Sequence, residues 1–392
     1  MIDLRLINFM REELAATPTK FERYMVSEIP WNDRMIGLVG PRGVGKSTLV
    51  KQQILKEQKD GYIQLYVSAD HSYFANHTLT DLADSFIAEG GKRLVIDEIH
   101  KYHGWSRELK QIYDSHPNLK IIFTGSSILD IKKGGADLSR RAIMFDMQGL
   151  SFREYLEMFE DISLPTYSIE DITENRIEYN MDFHPLPYFR KYLANGYYPF
   201  GQLPRFDIRM QQIFSETIEV DIPTFANMTP STVRKLKQMM MIISESAPYK
   251  PNMLNLSVEL KISKNDVPDY LAYLEKAGML SQLRDSTSGM RNLGKVEKVF
   301  IDNPNLMTVL AGGSPNIGNL RETFFFNQTR VKNLVQASKI SDFEINGITY
   351  EVGGANKGRA QLAKAKKGIV VRDDIEYGSG DIVPLWTFGM NY

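Results

Sequence analysis

The chain has 392 residues, and 47 Lys and Arg stand against 48 Asp and Glu for a formal net charge of −1, so it carries no global pull toward nucleic acid or an anionic membrane. It contains no cysteine, which excludes disulfides, thiolate zinc sites and cysteine nucleophiles, and six histidines are too few for a large imidazole metal cluster. A hydrophobic content of 43% supports sizeable cores, and the length calls for two or three of them.

In chain order, residues 1–13 lack the apolar stretch and small-residue cleavage site of a signal peptide, and no later stretch reaches membrane-span length. A soluble, cytoplasmic protein without a membrane partner is expected. Short apolar runs at Met35 to Val39, Tyr62 to Val67, Arg93 to Ile96, Leu119 to Phe123 and Ile143 to Met147 predict strands. Helical spacing lies between them, at Ser47 to Gln58 and at Asp81 to Ala88, with Thr80 a candidate cap for the second. Strands alternating with helices predict a parallel sheet covered on both faces. Phe152 to Phe159 reads as a helix, and the polar, proline-containing stretch from Asp161 to Pro187 as a lid or linker.

From Phe206 to Ala277 the pattern is mostly helical. Two short amphipathic helices, Leu254 to Leu260 and Val267 to Leu274, flank the turn Lys261 to Asn265, and Gly278 stops the second. That spacing fits a helix-turn-helix or winged-helix module, with a helical spacer as the alternative. Beyond Asn319, Glu322 to Lys332 reads as a helix and Ser341 to Ile345 with Ile348 to Val352 as a hairpin turning at Asn346-Gly347. Gln361 to Lys367 reads as a basic helix and Gly368 to Val371 as a strand.

The strongest chemical signal is Gly40-Pro41-Arg42-Gly43-Val44-Gly45-Lys46-Ser47, followed by Thr48, placed after an apolar strand and at the start of a helix. Gly43 and Gly45 let the backbone turn its N–H groups toward phosphate oxygens, and the helix adds its positive end. Lys46 is placed to reach the β- and γ-phosphates, and the Ser47 hydroxyl to hold Mg²⁺. Arg93 to Glu98 is an apolar strand ending in two carboxylates, which is costly to bury without a cation. Asp97 is the candidate metal ligand and Glu98 the candidate base for the attacking water; the competing reading is two solvated acids. Ile121 to Ser127 brings hydroxyls to a strand's carboxyl end, where Thr124 or Ser126 could hold that water or sense the γ-phosphate. Arg140 and Arg141 offer an arginine for charge developing on the phosphoryl group, or are a solvated pair. No convincing Asn-Lys-x-Asp guanine-reading motif follows the loop, so ATP is preferred to GTP, and Glu98 favours hydrolysis over phosphoryl transfer to a small molecule.

These segments, with Asp97-Glu98-Ile99-His100, Trp105, Leu109-Lys110 and the string Leu150-Ser151-Phe152-Arg153-Glu154-Tyr155-Leu156, resemble prokaryotic AAA-type ATPases with a DUF4143-type C-terminal domain. The register places Arg141 on the family's arginine, while Arg140 stands where glycine is common and Gly149 where proline is usual. Leu193 to Pro199 is similar to the family's Leu-x-x-Gly-Gly-x-Pro, with Tyr197 in place of a glycine.

With the spacing read above, which places a helical lid or linker in 161–205 and a winged-helix-like domain in 206–300, the resemblance implies an AAA-type P-loop NTPase α/β sheet in residues 1–160 and a restriction-endonuclease-like α/β domain in 301–392. In such nucleases one acid comes from a helix, one from a strand, and a Glu-x-Lys from the next strand. Glu322, Asp342 and Glu351 fall in that order, but Gly353 takes the lysine position, with Lys357 the candidate substitute. A degenerate, DNA-binding or interaction domain is therefore expected ahead of an active nuclease. Lys357, Arg359, Lys364, Lys366, Lys367 and Arg372 form a basic stretch that suits nucleic acid or a solvated face equally.

The expected function is ATP hydrolysis with Mg²⁺, coupled to a C-terminal half that binds DNA or protein. Alternatives are a nucleotide-gated regulatory module with little turnover and an ATP-dependent nuclease. An oligomer is compatible with the resemblance.

Overall fold

The computed structural model describes residues 2–58, 61–125, 138, 140–180, 182–226, 228–285 and 294–392. The chain divides into two compact units, Met1–Gly149 and Leu150–Tyr392.

In the first unit the five apolar runs form β1 (Met35–Val39), β2 (Gln64–Ser68), β3 (Arg93–Asp97), β4 (Lys120–Gly125) and β5 (Ile143–Asp146). All pair in parallel, in the order β2-β3-β4-β1-β5. β1 and β3 are buried along their whole length, which matches near-continuous apolar runs in a sheet covered on both faces. Helices α1 (Leu4–Ala15), α2 (Lys46–Lys56), α3 (Leu79–Ala88) and α4 (Trp105–Ser115) accompany the sheet. Leu6, Val67, Leu82, Ile96, Leu109 and Phe123 meet in the core. Trp105 is an anchor here, 5.9 Å from the Phe123 ring.

Two local expectations change. The strand expected from Tyr62 begins at Gln64. The cap of α3 is Thr78, not Thr80, because Asp81 three residues later completes a capping box with Thr78. The Thr80 amide and hydroxyl instead turn to Glu108.

The second unit opens with the helix Phe152–Glu160, whose Ser151 and Glu154 form another capping box. The stretch after it looks polar in sequence, yet Ile169 and Ile172 reach the core of this unit, and Leu164, Tyr167 and Phe183 pack against that core. Leu193 to Pro199 begins in a π-turn, Tyr192–Gly196. Asn305 satisfies the backbone groups that such a turn frees, donating to the Tyr192 and Leu193 carbonyls at 2.9 and 3.0 Å and accepting from the Tyr197 amide at 2.7 Å.

The helices Pro230–Ser246, Met253–Leu260 and Val267–Lys276 follow, then the antiparallel pair β6 (Leu280–Arg284) and β7 (Val296–Ile301). The C-terminal sheet is mixed, in the order β12-β11-β10-β9-β8. Its strands are β8 (Gln336–Ala337), β9 (Phe343–Ile345), β10 (Ile348–Gly353), β11 (Gly368–Arg372) and β12 (Ile382–Pro384). β9 and β10 form the hairpin at Asn346-Gly347, both with positive φ. The helix Ile317–Thr329 lies against β10, and Phe324 and Phe325 join Phe343, Tyr350 and Phe388 in an aromatic core. The basic helix expected over Gln361 to Lys367 is only a 3₁₀ turn, Ala360–Lys364. Leu362 is its one buried residue, so it has no apolar stripe to hold further turns.

Candidate active site

β1 ends mid-sheet, between β4 and β5, and the chain turns there at once. Gly40 has φ +151°, and a Cβ on it would lie 2.1 Å from the Met147 carbonyl oxygen. The loop begins pressed against the chain leaving β5, so only glycine fits. Gly43 (φ 79°) and Gly45 (φ 99°) complete the curl, and Gly45 caps α2, whose first turn holds Lys46, Ser47 and Thr48. Arg23 braces the loop from outside: its guanidinium donates to the carbonyls of Val44 at 2.6 Å and of Gln148 and Gly149 at 2.8 Å.

Lys46 is buried, and its ammonium donates to the Gly40 and Pro41 carbonyls at 2.9 and 2.7 Å. Burial pushes its pKa down to about 8, against the opposing pull of Asp97 and Glu98. Asp97, at the end of β3, gathers three hydroxyls. Ser47 donates to Oδ1 at 3.0 Å, Thr124 also donates to Oδ1, and Tyr66 donates to Oδ2 at 2.6 Å. The Thr124 hydroxyl in turn accepts from the Glu98 amide at 3.2 Å. Glu98 sits in the left-handed region, φ 50° and ψ 43°, a strained placement for a residue with a side chain. Burial raises its carboxyl pKa, Asp97 adds to that, and Arg42 and Lys101 oppose it.

A hydroxyl and a carboxylate converging on one point are hard oxygen donors of the kind Mg²⁺ takes, and Ser47 and Asp97 fit that role. Among the described residues there is no cluster of three acids or histidines able to cage a metal. The residues of this site meet at the carboxyl ends of β1, β3 and β4, the end of an open α/β sheet where ligands bind.

Residues 32–156 match the AAA domain family. Residues 186–317 match a second family, a domain of unknown function (DUF8612). Among solved structures, the Walker-type ATPase paby2304 of Pyrococcus abyssi is 14% identical, with 76% of this chain and 99% of that chain covered at a TM-score of 0.46. The replication initiator DnaA bound to AMPPCP and single-stranded DNA is 15% identical, covering 69% and 86% at a TM-score of 0.30. The AMPPCP-bound DnaA of Aquifex aeolicus is 12% identical, covering 70% and 90% at 0.26. No curated protein matches the chain. Among the described residues, no helix is long and apolar enough to cross a membrane.

Within the AAA domain, Lys46, Ser47, Asp97, Glu98 and Thr124 come together, while Ser126 lies outside the described residues. Arg141 does not join them. It precedes β5, whose four residues span roughly 13 Å, and it pairs with Asp114 near the end of α4 at 2.9 Å. That is the amino edge of the sheet, so Arg141 cannot reach the loop of its own chain. Sequence reasoning also passed over Arg23 and Tyr66. One stands in an irregular stretch and the other inside an apolar run, where a tyrosine reads as packing.

In the second unit, Glu322, Asp342 and Glu351 lie in one neighbourhood and are met by lysines. Lys298 of β7, which no motif marked, pairs with Glu322 at 3.0 Å and Asp342 at 3.2 Å. Lys357 pairs with Glu351, and its stem lies over Gly353, where a Cβ would meet it at 2.5 Å. The substitute lysine thus crosses the position the Glu-x-Lys pattern assigns. Burial and Asp342 raise the pKa of Glu322, and Lys298 opposes them. Lys298 loses from burial but is raised by Glu322 and Asp342.

Proposed function

We propose that this chain is an Mg²⁺-dependent ATP hydrolase whose nucleotide state governs the binding of a protein partner by its C-terminal half. The supporting observation is the convergence of Lys46, Ser47, Asp97, Glu98 and Thr124 at one end of the sheet. Lys46 exchanges its loop carbonyls for the β- and γ-phosphate oxygens. Ser47 and Asp97 would hold Mg²⁺, which would supply positive charge to offset the charge developing on the phosphoryl group. Glu98, its basicity raised by burial, takes the proton from the attacking water. Thr124 fixes both acids, through its hydroxyl and through the Glu98 amide. Arg141 serves only across an interface between copies.

In this reading the helices between residues 230 and 276 and the β6–β7 hairpin form a winged-helix-like module within the 206–300 domain. Residues 301–392, with the helices of 161–205 that share their core, form a degenerate restriction-endonuclease-like domain. Lysines on all three acids favour a binding role over cleavage. Two features favour a protein partner over DNA. The helix Val267–Lys276 exposes Asp269 and, two turns on, Lys276, one charge of each sign. In the basic stretch, Lys357, Arg359 and Lys367 pair with Glu351, Asp381 and Glu174, and Arg372 donates to the Lys357 carbonyl.

Steady-state phosphate release tests the reading. Wild type should turn over, Glu98→Gln should bind ATP without release, and Lys46→Ala should lose ATP binding. Equal, near-zero release from wild type and Glu98→Gln would replace the hydrolase with a nucleotide-gated switch. Duplex DNA titrated at low salt should show no binding.

A further inference from the structure

We infer that Tyr66 is a positioning residue for the metal-holding carboxylate, and that it ties the N-terminal helix α1 to the nucleotide site. This rests on the hydrolase reading above. Tyr66 lies on β2 opposite Val95 of β3, so its side chain shares a face with Asp97 two residues on. Its ring is buried and its hydroxyl donates to Asp97 Oδ2 at 2.6 Å. The two carboxylate oxygens are thereby divided: Oδ2 belongs to Tyr66, and Oδ1 faces the Ser47 and Thr124 hydroxyls. A hydrogen bond to one oxygen restrains the carboxylate's rotation about its terminal bond. Oδ1 then stays where a metal ligand is needed, as outer partners of metal ligands do elsewhere.

The tyrosine is itself fixed from two helices. Phe9 of α1 stacks on its ring at 6.1 Å with an interplanar angle of 12°, and the Tyr66 amide donates to the Met10 sulfur at 3.3 Å. Lys51 of α2 places its ammonium 5.9 Å from the ring centroid. The helix α1 precedes the segment that matches the AAA domain, and Tyr66 gives it a route to the metal site.

Tyr66→Phe keeps the ring and removes only the hydroxyl. We expect the Mg²⁺ concentration for half-maximal ATP binding to rise about tenfold, the size seen when a partner of a metal ligand is removed. Nucleotide affinity in EDTA should not change, and this also shows that the variant is folded. Phosphate release should need correspondingly more Mg²⁺ and recover at saturation. An unchanged Mg²⁺ midpoint would overturn the inference, as would an equal loss of affinity with and without Mg²⁺. Wild type that binds ATP but releases no phosphate would remove hydrolysis alone, because the binding arm still decides the role of Tyr66.

Discussion

Lys298→Met replaces the ammonium that separates Glu322 from Asp342 with an apolar group of similar length. In the wild type the three side chains are 17%, 20% and 18% exposed, so solvent screens them only weakly. Removing the cation leaves two carboxylates side by side, with Glu351 nearby and itself held by Lys357. Breaking a fully buried pair this way costs 3–5 kcal/mol, and the partial exposure here puts the loss at about 3 kcal/mol at pH 7. The pH dependence follows from Glu322, whose folded pKa is already raised. A raised carboxyl binds its proton more tightly folded than unfolded, so its contribution is most favourable in acid and is lost as pH rises through the folded value. Without Lys298 that pKa rises further, so protonation of Glu322 relieves the variant's strain at low pH. Urea unfolding of both proteins at pH 7 and pH 5 measures this. The deficit should be smaller at pH 5 than at pH 7, by up to about 1.4 kcal/mol for each pH unit across the shifted titration. No deficit at pH 7, or the same deficit at both values, would refute the role given to Lys298.

Gly40→Ala forces a Cβ to 2.1 Å from the Met147 carbonyl at a φ of +151°. It should cost about 1–3 kcal/mol, read as a lower thermal midpoint, together with loss of ATP binding; an unchanged midpoint would count against the squeezed loop. Arg141→Ala removes a surface ion pair with Asp114 and should leave the thermal midpoint nearly unchanged. Phosphate release by dilute protein should be unaffected, and a loss confined to high concentration would mark an arginine supplied between copies. Loss at every dilution would contradict its placement at the far edge of the sheet.

The local sequence carried much of the ATPase site because its chemistry depends on neighbours in the chain. A strand, a glycine loop, Lys46 and Ser47 are one continuous segment, and an apolar run ending in Asp97-Glu98 announces a buried acid in need of a cation. The same locality misled at Thr80, where Thr78 had the better-placed acid three residues on. It misled again at Gln361 to Lys367, where a basic run lacked an apolar stripe to hold a helix.

What the sequence by itself determined is therefore the parallel sheet, the phosphate loop, the acidic pair and the Asn346-Gly347 hairpin, each written in periodicity or in residues close together. Tertiary structure alone decided the partners. Tyr66 reaches Asp97 from 31 residues away, Lys298 reaches Glu322 and Asp342 from 24 and 44, and Arg23 reaches Gly149 from 126. It also decided that Arg141 stands at the opposite edge of the sheet from the loop. Strand order sets those distances, and it is fixed by which apolar faces pack together across the whole chain rather than by any local run of residues.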